Sequence, residues 1–393
     1  MTFVGNTCRH TRYFNVKERR FVDESFLPSL DQIRTANLKN HIDNGACFVF
    51  RPDTYKPVID GIIPIPGRSA WTFTNNQFVL CRSNNTSGMH GGAKSLDEIL
   101  AAASRFLKIS NLGPLALEMS GGLDSAIIFV ILKQLGVMPI LIGYMRDRYE
   151  FRTERIIQEN FMSQGSIVVR LTDNQGRPFE QLCSSPRHVL PDLASLSHAA
   201  HALVAQSAAE HGAKTVLNGI GADALLCNDM QGQNATNFPQ DFAAWALADS
   251  WPNASIYQPR GMKYISPFAL SPFPHLAWKS RRGLPGDPMK LNARSIFANL
   301  LPKELVTFAY KASHDGWIHD GIKQAASEIY TVASIAYKFY QNEELHPDKL
   351  HKQAEKSAFL SDDELKHFLS CVAFSVWIFG HINSTKICPT KAP

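Results

Sequence analysis

Between residues 115 and 220, four short apolar runs stand out from the polar background: LALEM, MPILIGYM, SIVVRL and KTVLNGI. Each is bounded by glycine or polar residues, and segments of helical period at 124–135, 152–163 and 194–211 lie between them. Short apolar runs with these boundaries read as strands buried on both faces. Their alternation with helices predicts an α/β fold, a parallel sheet with helices on both faces, and ligands at the carboxyl ends of the strands. Upstream, Phe48 to Arg82 is broken into ACFVF, VIDGIIPIP and QFVLC by turn residues, which predicts a small β-rich unit. The Gly/Ser/Asn-rich stretch SNNTSGMHGGAKS at 83–95 precedes a helical pattern from Ser95 to Leu107 and sets a boundary near residue 90. Residues 1–90 are thus expected to form one domain and 91–393 a second, larger one with a helical C-terminal part. In that part, MKLNARSIFANLL and GIKQAASEIYTVASIAYKFYQ read as helices, and a capping box from Ser361 to Glu364 opens a last one.

Composition narrows the classes. A chain of 393 residues with 45% hydrophobic and 19% charged residues is an ordinary globular sequence with room for a large core. A net charge of +5, thinly spread, does not point to nucleic acid, and the basic cluster Trp278 to Gly283 reads as a solvated loop. Seven cysteines without a CxxC pair argue against a disulfide framework. No signal sequence is evident, and no apolar run is expected to reach the ~18 residues of a membrane span. A cytoplasmic protein without membrane contact is therefore expected.

The chemistry concentrates in LALEMSGGLDSAIIFVILKQLG, residues 115–136, where a strand runs into a helix through Ser120, Gly121, Gly122, Leu123, Asp124 and Ser125. Glycines at such a turn let backbone N–H groups close around an anion, and the helix N-terminus adds favourable potential. Asp124 is the odd member. A carboxylate facing phosphates repels them unless a cation intervenes, and Mg²⁺ is the simplest such cation. Neither GxxxxGK[ST] nor GxGxxG is present at a strand end.

The SGGxDS turn resembles the pyrophosphate loop of the ATP-pyrophosphatase superfamily, whose members cleave ATP to AMP and pyrophosphate while activating a carboxylate or carbonyl. A second segment, GAKTVLNGIGADALLCND at 212–229, is similar to the strand and loop of asparagine synthetases and places Asp223 as a second metal-binding aspartate. A third, GDPMKLNARSIFANLLPKELVTFAYKASHDGW at 286–317, resembles that family's late segment, and Lys311 falls on its catalytic lysine. A fixed ammonium there would stabilise charge building on the α-phosphate and carbonyl oxygen. The same resemblance implies that Met119 and Ile142 hold adenosine, that Asn218 and Gly219 lie near ribose and α-phosphate, and that ATP and Mg²⁺ are the cofactors.

Departures from asparagine synthetase shape the expected substrate. The familiar glutaminase domain is missing from this chain's start, so glutamine hydrolysis is not expected. The family's ammonia-handling glutamate is Ile220 here, which cannot accept a proton. Ile265 and Leu270 stand for an arginine and an aspartate. This drift resembles β-lactam synthetases and the macrolactam synthetases of lasso-peptide biosynthesis, and implies an AMP-forming amide ligase that closes a peptide or amino-acid-derived carboxylate to a lactam. A leader-peptide-processing partner would fit that role. Alternatives are an ammonia-dependent amidating enzyme, a tRNA-modifying relative and a non-catalytic nucleotide-binding partner. His198 and His201 read as core or helix-surface histidines. His314 and Asp315 read as a polar loop, Glu118 as facing a polar group of a neighbouring strand, and Phe368, Trp377 and Phe379 as core.

Overall fold

A computed structural model describes residues 2–6, 12–15, 17–18, 20–22, 27–43, 57–65, 69–74, 77–83, 97–98, 100–101, 103–104, 112–145, 151–162, 164, 167–172, 176–220, 222, 252–269, 290–307 and 315–387. Its first part holds β1 (Thr2–Asn6), β2 (Arg12–Asn15), β3 (Arg20–Phe21), α1 (Leu30–Arg34), α2 (Leu38–Asp43), β4 (Ile62–Ile65), β5 (Ser69–Thr74) and β6 (Gln77–Ser83). These strands form two antiparallel three-stranded sheets, β1-β5-β6 and β3-β2-β4. The expected β-rich start is present, with more strands before residue 48 than the hydrophobic pattern indicates; the ACFVF run lies outside the described residues.

The centre is a five-stranded parallel sheet of β7 (Leu115–Glu118), β8 (Ile140–Met145), β9 (Val168–Thr172), β10 (Thr215–Leu217) and β11 (Lys263–Ile265), in the order β11-β10-β7-β8-β9. Because successive side chains leave opposite faces of a strand, the sheet supplies two cores. Leu115, Leu117, Leu141, Leu217 and Ile265 meet α3 (Leu123–Gln134) and α4 (Arg152–Met162). On the other face, Ala116, Ile140, Ile142, Val216 and Tyr264 meet α5 (His198–Glu210) and the turn carrying Ile256 and Tyr257. Helices on both faces are thus observed. Residues 123 and 125–132 of α3 are all buried, which explains why this helix is apolar around its whole circumference rather than amphipathic.

The C-terminal part contains α6 (Leu291–Ile296), α7 (Lys303–Thr307), α8 (Asp315–Gln324), α9 (Ala326–Tyr340), α10 (Pro347–Glu355) and α11 (Asp362–Ile387). The helix expected over 321–341 is interrupted at Ala325. α9, α10 and α11 share a core with Val22, Ile33, Val58, Ile59 and Ile62 of the N-terminal part. Tyr340 donates its hydroxyl to the carbonyl of Ala36, and Trp377 Nε1 donates to the carbonyl of His188 at 2.8 Å. The apolar surfaces of the first and last parts of the chain are therefore buried together.

The segment Asp362–Asn383 corrects one expectation. With 22 residues and a mean hydropathy of 1.4 it is long and apolar enough to cross a membrane, the one such helix among the described residues. Of that window 72% is buried inside the protein, and Phe368, Trp377 and Phe379 all lie in the shared core. The apolar character of the helix is accounted for by packing.

Candidate active site

The site is assembled where β7 ends. Met119 donates its backbone N–H to the carbonyl of Ile142 at 2.8 Å, extending the β7–β8 ladder to the edge of the loop. The chain then turns through Gly121, at φ +84°, and Gly122 caps α3 with no side-chain hydrogen bond. A Cβ at Gly121 would stand 2.3 Å from the Glu154 carbonyl oxygen, so this turn must be glycine for both its backbone angle and its packing. Ser120 Oγ lies 3.1 Å from Ser125 Oγ and accepts from the N–H of Gly122 at 3.1 Å. Ser125 Oγ also lies 3.1 Å from the Gly122 carbonyl. Two hydroxyls and the first N–H groups of a 12-residue helix thus converge on one turn.

The second motif lies against the first. Asn218 is buried; its N–H donates to the Ile265 carbonyl at 3.1 Å, and its Oδ1 accepts from the N–H of Ile220 at 2.9 Å. A Cβ on Gly219 would come within 3.2 Å of Asp124 Cβ, which measures how close the two turns are. The tertiary structure therefore brings Met119, Ser120, Gly121, Gly122, Leu123, Asp124, Ser125, Ile142, Asn218 and Gly219 to the neighbouring strands β7, β8 and β10 and the turns that follow β7 and β10. Asp223 and Lys311, expected as metal ligand and catalytic lysine, lie outside the described residues, as do His314 and Leu270.

Sequence reasoning missed Lys290. Its Nζ donates to Asp124 Oδ1, with side chains 9% and 22% exposed respectively, and its backbone sits in the left-handed region at φ 53°. The carboxylate in the turn thus already faces a cation, and the cation is a side chain. The local signal for it is a lysine at the head of the helix in the third segment, α6. Arg294, one turn further on, is buried and donates to the carbonyl of Leu305, tying α6 to α7.

Beside the loop lies a cavity of ≈ 220 Å³, bounded by Met119, Ser120 and Ile142 together with Phe151, Val204 and Trp317. Gln158 fixes its rim by donating Nε2 to the carbonyls of Met119 at 2.8 Å and Tyr144 at 3.2 Å. Glu118 lines this cavity too, and its polar partner comes from beyond the neighbouring strand: Tyr264 OH of β11 donates to its Oε2 at 2.9 Å. Burial pushes the Glu118 carboxyl up to about 7, opposed by the Tyr264 hydrogen bond. His201, also at the cavity, is packed edge-on against Tyr257 and Tyr264, and burial lowers its pKa to about 4. His198 is lowered to about 4 as well, mainly by burial, so both are half-buried, neutral histidines on α5.

A helix N-terminus with two hydroxyls, a lysine and an adjoining apolar cavity fit a nucleotide whose phosphates lie at the turn. For Mg²⁺, the described donor set is the single carboxylate of Asp124, paired with Lys290.

The sheet and turn fit an α/β fold of the ATP-pyrophosphatase type. Residues 97–262 match the asparagine synthase family, which supports placing this part of the chain with asparagine synthetase-like, ATP-dependent ligase-type enzymes. No curated protein matches the chain.

Proposed function

We propose that the chain is an AMP-forming amide ligase, and the observation that carries this reading is the SGGLDS turn at the carboxyl end of β7, inside the asparagine synthase match, with Asp124 paired to Lys290 from beyond that match. In it, a substrate carboxylate attacks the α-phosphorus of ATP, pyrophosphate leaves, and an amine then displaces AMP from the acyl-adenylate. Ser120, Ser125 and the N–H groups opening α3 hold the departing pyrophosphate. Asp124, with Asp223, would hold Mg²⁺, which when bound neutralises pyrophosphate charge. Lys290 orients the Asp124 carboxylate, and Lys311 is assigned to the charge that builds on the α-phosphate and acyl oxygen.

The preferred product is a lactam in a peptide or amino-acid derivative, of the kind made by lasso-peptide macrolactam synthetases. Support comes from Ile220, which stands where the family handles ammonia and packs against the apolar core of its sheet face. An apolar side chain there neither binds ammonium nor accepts its proton. A substrate-borne amine, positioned by the rest of its molecule, needs less from that position.

The test is exchange of labelled pyrophosphate into ATP, with candidate acidic peptides, glutamate or aspartate as acyl donors. Peptide-dependent exchange that disappears in Asp124→Ala, with AMP as the final nucleotide product, is expected. Exchange with free aspartate and ammonia-dependent product would instead indicate asparagine synthesis. ADP and phosphate as products would overturn the reading, and nucleotide binding without turnover would leave a non-catalytic partner.

A further inference from the structure

The strand that feeds the phosphate turn ends in one charged residue on an otherwise apolar face. Glu118 shares the face of Ala116, Ile142 and Val216 and is one of the residues lining the cavity beside the turn. Among the described residues, Tyr264 alone hydrogen-bonds that carboxyl, at Oε2. Tyr264 is itself held in place. Its ring stacks on Tyr257 with centroids 4.4 Å apart and planes at 14°, and His201 stands edge-on to it at 5.4 Å. The Glu118 carboxyl is thereby oriented by a rigid partner through one oxygen, while the other retains its acceptor capacity. A half-buried acid on this apolar face costs stability that a leucine would not, as its raised pKa also indicates.

The rest of the cavity suits a flat ring. Phe151, Ile142, Val204 and Trp317 supply apolar walls, and the phosphate turn at Ser120 lies at its edge. A ligand with phosphates on the turn and a heteroaromatic base in the cavity would set the base near Glu118. We propose that Glu118 is the base-reading residue of this nucleotide site, its second carboxyl oxygen accepting a hydrogen bond from the exocyclic amino group of adenine. The inference rests on the ATP reading given above and adds the residue that sets base preference. A base with a carbonyl at the same position would place two acceptors against each other when the carboxyl is ionised, and that second oxygen would be left without a donor.

The full chain can be tested by equilibrium binding of ATP and of inosine triphosphate, which replaces the amino group by a carbonyl. The unsubstituted protein should favour ATP by about tenfold or more, the span of one hydrogen bond to a charged or strongly polarised group. Glu118→Leu should bring the two affinities close together. Glu118→Gln should do so by strengthening inosine triphosphate binding, because a rotated amide can accept from an amino group or donate to a carbonyl. Equal weakening of both nucleotides in both variants, with the ratio unchanged, would mean that Glu118 serves only the fold and would overturn the inference. Failure of the unsubstituted protein to bind either nucleotide would instead remove the ATP reading itself. Glu118→Gln keeps shape and the Tyr264 hydrogen bond, so the experiment stands if the leucine variant does not fold.

Discussion

Asp124 shows how one side chain can satisfy a charge requirement in two ways. The carboxylate needs a cation if phosphates are to approach it, and Lys290 supplies one inside the fold. Because Lys290 is the more deeply buried partner, removing its counter-charge should cost more than removing the lysine. Asp124→Asn is therefore expected to lower the urea midpoint further than Lys290→Gln, with the double variant less destabilised than the sum; strict additivity would show that the pair is not coupled. Gly121 is constrained by sterics instead. Gly121→Ala must relieve a 2.3 Å approach to a backbone oxygen at positive φ, so a loss of about 2 kcal/mol or more is expected, together with loss of nucleotide binding. Unchanged stability in a denaturant titration would mean that the turn can relax.

Helices show where local signals suffice and where they do not. The capping box at the head of α11 forms as the sequence indicates: the Ser361 N–H donates to Glu364 Oε2 at 2.8 Å, and the Glu364 N–H donates to Ser361 Oγ at 3.4 Å. Replacing Ser361 by alanine should cost about 1 kcal/mol, read from the thermal or urea midpoint. An unchanged midpoint would show that packing alone fixes this helix end. The break at Ala325 has no such local signal, since Gln324, Ala325 and Ala326 all suit a helix interior. Ile322, Ala325, Ala326 and Ile329 are all buried in the shared core around the break, so tertiary packing overrides propensity there.

At the scale of the whole molecule, the neutral histidines set an acid limit. Burial depresses His41, His198, His201 and His381 to about 4 and His188 to about 3. A depressed pKa means that the unfolded chain binds protons which the folded one does not, so stability falls as pH drops from 6.5 toward 4. Glu118 and Asp192 act in the opposite direction, since burial raises them to about 7 and about 6 and their contribution falls as pH rises through that window. Among the described residues, five groups oppose two. The net expectation is a denaturation midpoint that declines between pH 6.5 and 5, and a flat or rising profile there would contradict the buried, neutral state of these histidines. His188 is the group most tied to the assembly of the chain, meeting Tyr13 from the N-terminal part at 2.9 Å while its carbonyl accepts from Trp377 and His381 of α11.

The sequence by itself determined the sheet, the strand-to-helix turn and the capped helix end, because each depends on short-range regularities. Apolar runs of strand length, glycines at a strand-to-helix turn and a capping pair are all written within a few neighbouring residues. The tertiary structure decided what depends on distant segments meeting. Lys290 reaches Asp124 from 166 residues away, Tyr264 reaches Glu118 across β10, and residues 22–62 share one core with the last helices. Such pairings leave no local period in the chain, since the energy that selects them comes from burial shared between segments rather than from either segment alone.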